Sequence, residues 1–148
     1  MKNSRGFNLL ELVIAVTIIS LILLVVVPNV LDALDRGKRS STQADMHALA
    51  KALERYAADH RGYPEAVSVG DLQGVVVPQY LKSLPSRDGW GHPLIYEVRD
   101  RGAGYSLSSP GKDGVFNSPS EGEKFNADLI IVDGAFVESE AADAADET

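Results

Sequence analysis

Sixteen residues, Leu12 to Val27, form an apolar run interrupted only by Thr17 and Ser20. As an α-helix that run spans about 24 Å, and starting it at Phe7 extends it to about 31 Å. A bilayer core is about 30 Å thick. The run therefore sets the first choice: signal peptide, plain membrane anchor, or something more specialised. A secretory signal peptide ends in a small-residue cleavage site. Here the run ends in VVVPNVLDAL and continues into a helical pattern, so the apolar part is expected to be retained. A plain anchor fits the length but leaves Glu11 unexplained. An acidic residue at the centre of a spanning helix costs on the order of 2.5–3.5 kcal/mol on insertion scales. Lys2 and Arg5 precede the run and Arg36, Lys38 and Arg39 follow it, so the positive-inside rule does not fix an orientation.

The segment RGFNLLE, Arg5 to Glu11, accounts for the acid. It resembles the type III signal of type IV pilins and type II secretion pseudopilins. In those families a short basic leader ends in Gly, and a peptidase cuts on the cytoplasmic side before the apolar run. The new terminal Phe is N-methylated, and a Glu stands fifth in the mature chain. Gly6, Phe7 and Glu11 match these positions; Asn8 stands where Thr is usual. The resemblance implies a partner for Glu11. Cleavage after Gly6 creates a cationic amine at Phe7, and residues four apart share a helix face. Glu11 then reaches its own amine or a neighbour's, and a buried charge with a counter-charge avoids the cost of standing alone. Glu11 is thus read as an assembly device that sets axial register between subunits.

Four segments are expected along the chain: a leader over 1–6, a membrane and filament-core helix over 7–30, a globular head over 31–137, and a tail over 138–148. The helix should continue to about Asp59 with a disturbance at Pro28. This proline lacks an N–H and its ring crowds the carbonyl of Leu24. Pilin-like subunits carry a proline at the corresponding place. Met46, Leu49, Leu53 and Tyr56 make an apolar stripe at helical spacing. Beyond Gly62 a loop with one short helical or irregular segment is expected around Leu72 to Tyr80. Leu94 to Arg99 and Tyr105 to Ser108 read as strands joined by a turn. Asp133-Gly134 between two short apolar runs signals a type I′ hairpin. The fold class is α+β and pilin-like: a long N-terminal helix, its first half membrane-inserted, packed on a small antiparallel sheet. The tail, ESEAADAADET, has five acids and no large apolar residue. Such a composition is expected to stay disordered. It carries most of the net charge of −7. No basic stripe with interleaved aromatics points to nucleic acid.

The order YPEAV, PQYLKSLPSRDGWGHPLIY, YSLSSPGKDG and EGEKFNADLI widens the resemblance to most of the chain. It is similar to the major pseudopilin of type II secretion, with its YP after the long helix, DPWG-type turn and SLGADG…EG…DADI loop. Asp88-Gly89 stands for Asp-Pro, Ser109-Pro110 for Leu in the loop, and Asn126 for an Asp. The stretch from Ser109 to Leu129 offers Asp113, Glu121, Glu123, Asn126, Asp128 and backbone carbonyls. Hard oxygen donors of this kind suit calcium, although EF-hand spacing is absent. Composition alone favours a solvated acidic loop. The resemblance implies bound calcium, with Asp113, Asn126 and Asp128 among the ligands. The chain has no cysteine, so a metal clip can take the place of a disulfide.

Trp90 is expected as a core residue under its turn, with the indole N–H on a carbonyl. His47, His60 and His92 lack metal spacing and read as surface or capping residues. PGKDG lacks the rest of a phosphate-loop pattern. No catalytic set assembles, and an enzyme is the weakest class. The resemblance implies a subunit of a type II secretion pseudopilus or type IV pilus-like filament in the bacterial inner membrane, single-pass, with its head in the periplasm or outside. Its partners would be copies of itself, a prepilin peptidase/methyltransferase, an inner-membrane assembly platform and minor pseudopilins. The competing reading is a membrane-anchored binding module that never polymerises, for which neither Glu11 nor the Gly6–Phe7 junction is needed.

Overall fold

A computed structural model describes residues 8–116 and 125–137. The chain divides into two compact units, residues 1–34 and 35–148. Helix α1 (Leu9–His60) supplies the described part of the first and opens the second. Asn8 caps it: its Oδ1 accepts the N–H of Leu10 at 3.3 Å, and its carbonyl accepts the N–H groups of Glu11 and Leu12.

The first stretch of α1 is long and apolar enough to cross a membrane, with a mean hydropathy of 3.0 over its best window and none of that window buried. Three of its neutral polar side chains bond within the helix. Thr17 Oγ1 donates to the Val13 carbonyl at 2.7 Å, Ser20 Oγ to Val16 at 2.8 Å, and Asn29 Nδ2 to Val25 at 2.8 Å. Each bond reaches one turn back, which lets a hydroxyl or amide sit among apolar neighbours without an unmet donor. Pro28 lies inside α1, and the helix continues through it.

In the second unit the apolar stripe of α1 is buried: Met46, Leu49 and Leu53 are fully covered. Tyr56 falls outside that core. Its ring stacks on His60 at 4.0 Å and meets Tyr80 edge-on at 5.8 Å. Arg61 ends the helix in the left-handed region (φ 63°), its N–H still bonded to the Ala57 carbonyl at 2.8 Å. A 3-10 turn (Val69–Leu72) and the short α2 (Gln73–Val76) follow and send Val69, Leu72 and Val76 into the core.

Four strands form an antiparallel meander: β1 (Ile95–Arg99), β2 (Gly104–Ser109), β3 (Leu129–Val132) and β4 (Ala135–Val137). Tyr96 pairs with Leu107 and Leu107 with Ile131, so the inward residues of three strands line up across one face. That face and the α1 stripe share one core. Alternation along a strand places every second side chain on the same side, so the pattern in β2 and β3 follows from sequence. The β3–β4 turn is Asp133-Gly134 with φ of 48° and 87°. Both positive values belong to a type I′ turn, as the dipeptide implied. The fold is α+β and pilin-like.

Candidate functional site

Glu11 occupies the first turn of α1, three residues after the Asn8 cap, and is exposed. That is the acidic position of a capping arrangement, where the unpaired N–H groups at the helix start favour an anion. Asn8, which departs from the usual Thr, serves as the cap itself. Gly6 and Phe7 lie outside the described residues.

The 109–129 stretch is described at its two ends, and they run side by side: the Lys112 N–H donates to the Phe125 carbonyl at 3.0 Å. Gly111 sits at φ 70°, and a Cβ there would meet the carbonyl oxygens of Phe125, Asn126 and Ala127 at 3.0, 3.0 and 3.1 Å. Glycine is required for this approach, and three successive carbonyls converge on it. The fold therefore brings the GKDG and NAD segments together. Asp113 is half-buried and one of its oxygens accepts the Val115 N–H at 3.1 Å. Asn126 Oδ1 is buried and makes no hydrogen bond among the described residues. A buried acceptor left without a donor is costly, and a cation satisfies it as well as an N–H does. Asp128 is half-buried two residues on. The donor set is oxygen throughout, the kind a hard cation takes. Among the described residues no three His, Asp or Glu side chains cluster as metal ligands. Glu121 and Glu123 lie outside that set.

The first end of the loop is fixed by Asp88. This carboxylate is buried; Oδ1 accepts the N–H groups of Trp90 (3.0 Å) and His92 (2.8 Å), and Oδ2 accepts the Ser109 hydroxyl at 2.9 Å. Ser109 Oγ in turn accepts the Gly111 N–H at 3.3 Å. His92 Nδ1 lies 2.9 Å from the Gly111 carbonyl, so this partly exposed ring also holds the loop.

Trp90 departs from expectation. It is half-buried, and its indole Nε1–H donates to the carboxylate of Asp35 at 3.0 Å instead of to a carbonyl. The other Asp35 oxygen pairs with Lys112 Nζ at 3.1 Å. The Trp90 hydrogen bond and then the Lys112 ammonium hold the Asp35 carboxyl below its ordinary pKa. One turn on, Arg39 donates to the Ala127 carbonyl at 3.1 Å. Burial lowers the Arg39 pKa from its ordinary value. Thr42 Oγ1 accepts the Gly89 N–H at 2.8 Å and donates to the Lys38 carbonyl at 2.9 Å. Sequence reading gave Asp35, Thr42 and Lys112 no mention and gave Arg39 and Asp88 no role in the site. The one local signal was the spacing of Asp35 and Arg39, four apart on one helix face.

Residues 1–27 match the prokaryotic N-terminal methylation motif, which puts the chain in the class of proteins that carry that motif. Residues 29–130 match the model of type II secretion system (T2SS), protein G. The chain belongs to that family. Among curated relatives it is 32% identical to the type II secretion system core protein G of Xanthomonas campestris over 117 residues, covering 76% of this chain and 81% of the relative. The core protein G of Pseudomonas aeruginosa is 32% identical over 126 residues, covering 76% and 87%. That of Escherichia coli is 31% identical over 130 residues, covering 80% and 89%. No solved structure gives a significant match.

Proposed function

We propose that this chain is the major pseudopilin of a type II secretion system, a structural subunit and no enzyme. It is made as a precursor, inserted once in the inner membrane with its head in the periplasm, cut between Gly6 and Phe7, and methylated on the new amine. It then polymerises with copies of itself, on an inner-membrane platform and with minor pseudopilins, into a filament that drives export. The observation that carries this is the adjacency of two matches, the methylation motif over 1–27 and the protein G region over 29–130. They adjoin within one helix, whose apolar first stretch has no cover of its own. A bilayer covers that stretch before assembly, and neighbouring helices cover it afterwards.

In this scheme Glu11 is the register device. Its carboxylate lies in the first turn of α1, and cleavage supplies the amine of Phe7 as counter-charge. Glu11→Ala removes the charge from hydrocarbon, so insertion and cleavage proceed while assembly fails. The test counts sheared filaments by electron microscopy and checks cleavage by mass. Normal filament abundance from a cleaved Glu11→Ala chain refutes the pairing.

The head is further proposed to hold one calcium ion through Asp113, Asn126 and Asp128 with backbone carbonyls of the loop. The orphaned Asn126 oxygen supports this reading. Bound calcium would supply a fixed positive charge that ties the oxygen-rich ends of the loop together.

A further inference from the structure

One stretch of α1, Asp35 to Thr42, reaches two loops by side chains, one of them at both of its ends. Asp35 accepts the indole N–H of Trp90 and pairs with Lys112; Arg39 donates to the Ala127 carbonyl; Thr42 accepts the Gly89 N–H. Lys112 is the neighbour of Asp113, and Ala127 stands between Asn126 and Asp128. One helical turn therefore grips both ends of the 109–129 stretch, one with an anion and the other with a cation. We propose that the Asp35–Thr42 stretch of α1 is a metal-independent dock, in which Asp35, Arg39 and Lys112 position the oxygen donors of the loop before any cation arrives.

Three physical points support it. Asp35 is only 9% exposed, and both of its oxygens are engaged, so the dock is a built contact and no loose surface pair. The two ends are also bonded to each other through Lys112 N–H and the Phe125 carbonyl. Two permanent cations, on Arg39 and Lys112, hold the ends of a loop that offers anionic donors. Like-charge repulsion then opposes an incoming cation, so the dock fixes the described ends of the loop while weakening their affinity for it. This stands apart from the calcium reading, because every bond named joins protein to protein.

The test uses the full chain in detergent micelles. Amide hydrogen exchange is followed by mass spectrometry over peptides spanning 108–116 and 86–94, in calcium and in excess EDTA. Emission of Trp90, the single tryptophan, is recorded in parallel. Wild type should keep both peptides protected and its emission unchanged in EDTA. Lys112→Met and Arg39→Gln should speed exchange over 108–116 by roughly two- to fivefold in both buffers, as expected for losing one partly exposed charged contact. Lys112→Arg, which keeps the pair, should restore protection. Asp35→Asn should shift the Trp90 emission as well. Protection in wild type that vanishes on chelation overturns the dock. So does unaltered exchange in both Lys112→Met and Arg39→Gln. Calorimetry on the same samples separates the two readings: no calcium uptake with the ends still protected removes the cation and leaves the dock.

Discussion

Gly89→Ala is a one-carbon change with a large expected effect. Gly89 lies in the DGWG turn, where its N–H donates to Thr42 Oγ1 at 2.8 Å. A Cβ at this position would stand 2.5 Å from the carbonyl oxygen of Lys38, 2.9 Å from its Cα and 3.0 Å from its carbonyl carbon. All three are backbone atoms of α1, which cannot swing aside as a side chain would. The turn must lift off the helix instead. Overpacking of this kind costs about 1–3 kcal/mol, and the lost hydrogen bond adds about 1 kcal/mol. At about 4 °C per kcal/mol for a head of this size, the melting temperature should fall by roughly 8–16 °C. Proline, the residue of the resembled DPWG turn, brings the same Cβ and removes the N–H as well, so Gly89→Pro should be no better. Thr42→Val removes the hydroxyl alone and should cost about 4 °C. The assay is a thermal melt of the full chain in detergent, followed by emission of the adjacent Trp90. A Gly89→Ala chain that melts within about 2 °C of wild type, a shift worth about 0.5 kcal/mol, would refute the close approach.

Two further outcomes follow from the head. If calcium binds only the folded head, a hundredfold excess over Kd stabilises it by about 2.7 kcal/mol, and chelation should lower the melting temperature of the wild type by roughly 10 °C. Asp113→Ala and Asp128→Ala should remove most of that response, and an identical melt in both buffers would end the calcium proposal. Burial pushes the Tyr96 hydroxyl up to about 12, where it donates to the Pro64 carbonyl at 2.8 Å. A raised folded-state value means the contribution is fully present below the unfolded tyrosine value of about 10 and is lost as pH rises towards the folded one. Stability should therefore hold to about pH 10 and then decline by up to about 1.4 kcal/mol per pH unit for this group. Tyr96→Phe should flatten that decline in an alkaline denaturation series.

Local patterns were legible in the sequence. The N-terminal methylation motif is short and contiguous, and the helix stripe of Met46, Leu49 and Leu53 is a spacing rule. The turn at Asp133-Gly134 depends on two residues that tolerate positive φ. Asn8 was also legible, as a cap three residues before an acid, but it was weighed as a departure from Thr. The dock was not legible, because its bonds join Asp35, Arg39 and Thr42 to residues 47 to 88 positions away. Nothing local marks an aspartate as the acceptor for an indole two loops later. The glycine at position 89 read as a deviation from Asp-Pro, and only its contact with the Lys38 backbone shows why a Cβ is excluded there. The same long-range placement moved Trp90 from a core position to the edge of a polar cluster.

The central claim is that a cut and methylated helix start makes this chain a filament subunit. Intact-mass measurement of protein extracted from membranes of a host carrying a prepilin peptidase tests it most directly. The mature chain should begin at Phe7 and carry one added methyl group, with Gly6→Val leaving the leader in place. A mature chain that retains Met1, or one cut after Pro28, would contradict it.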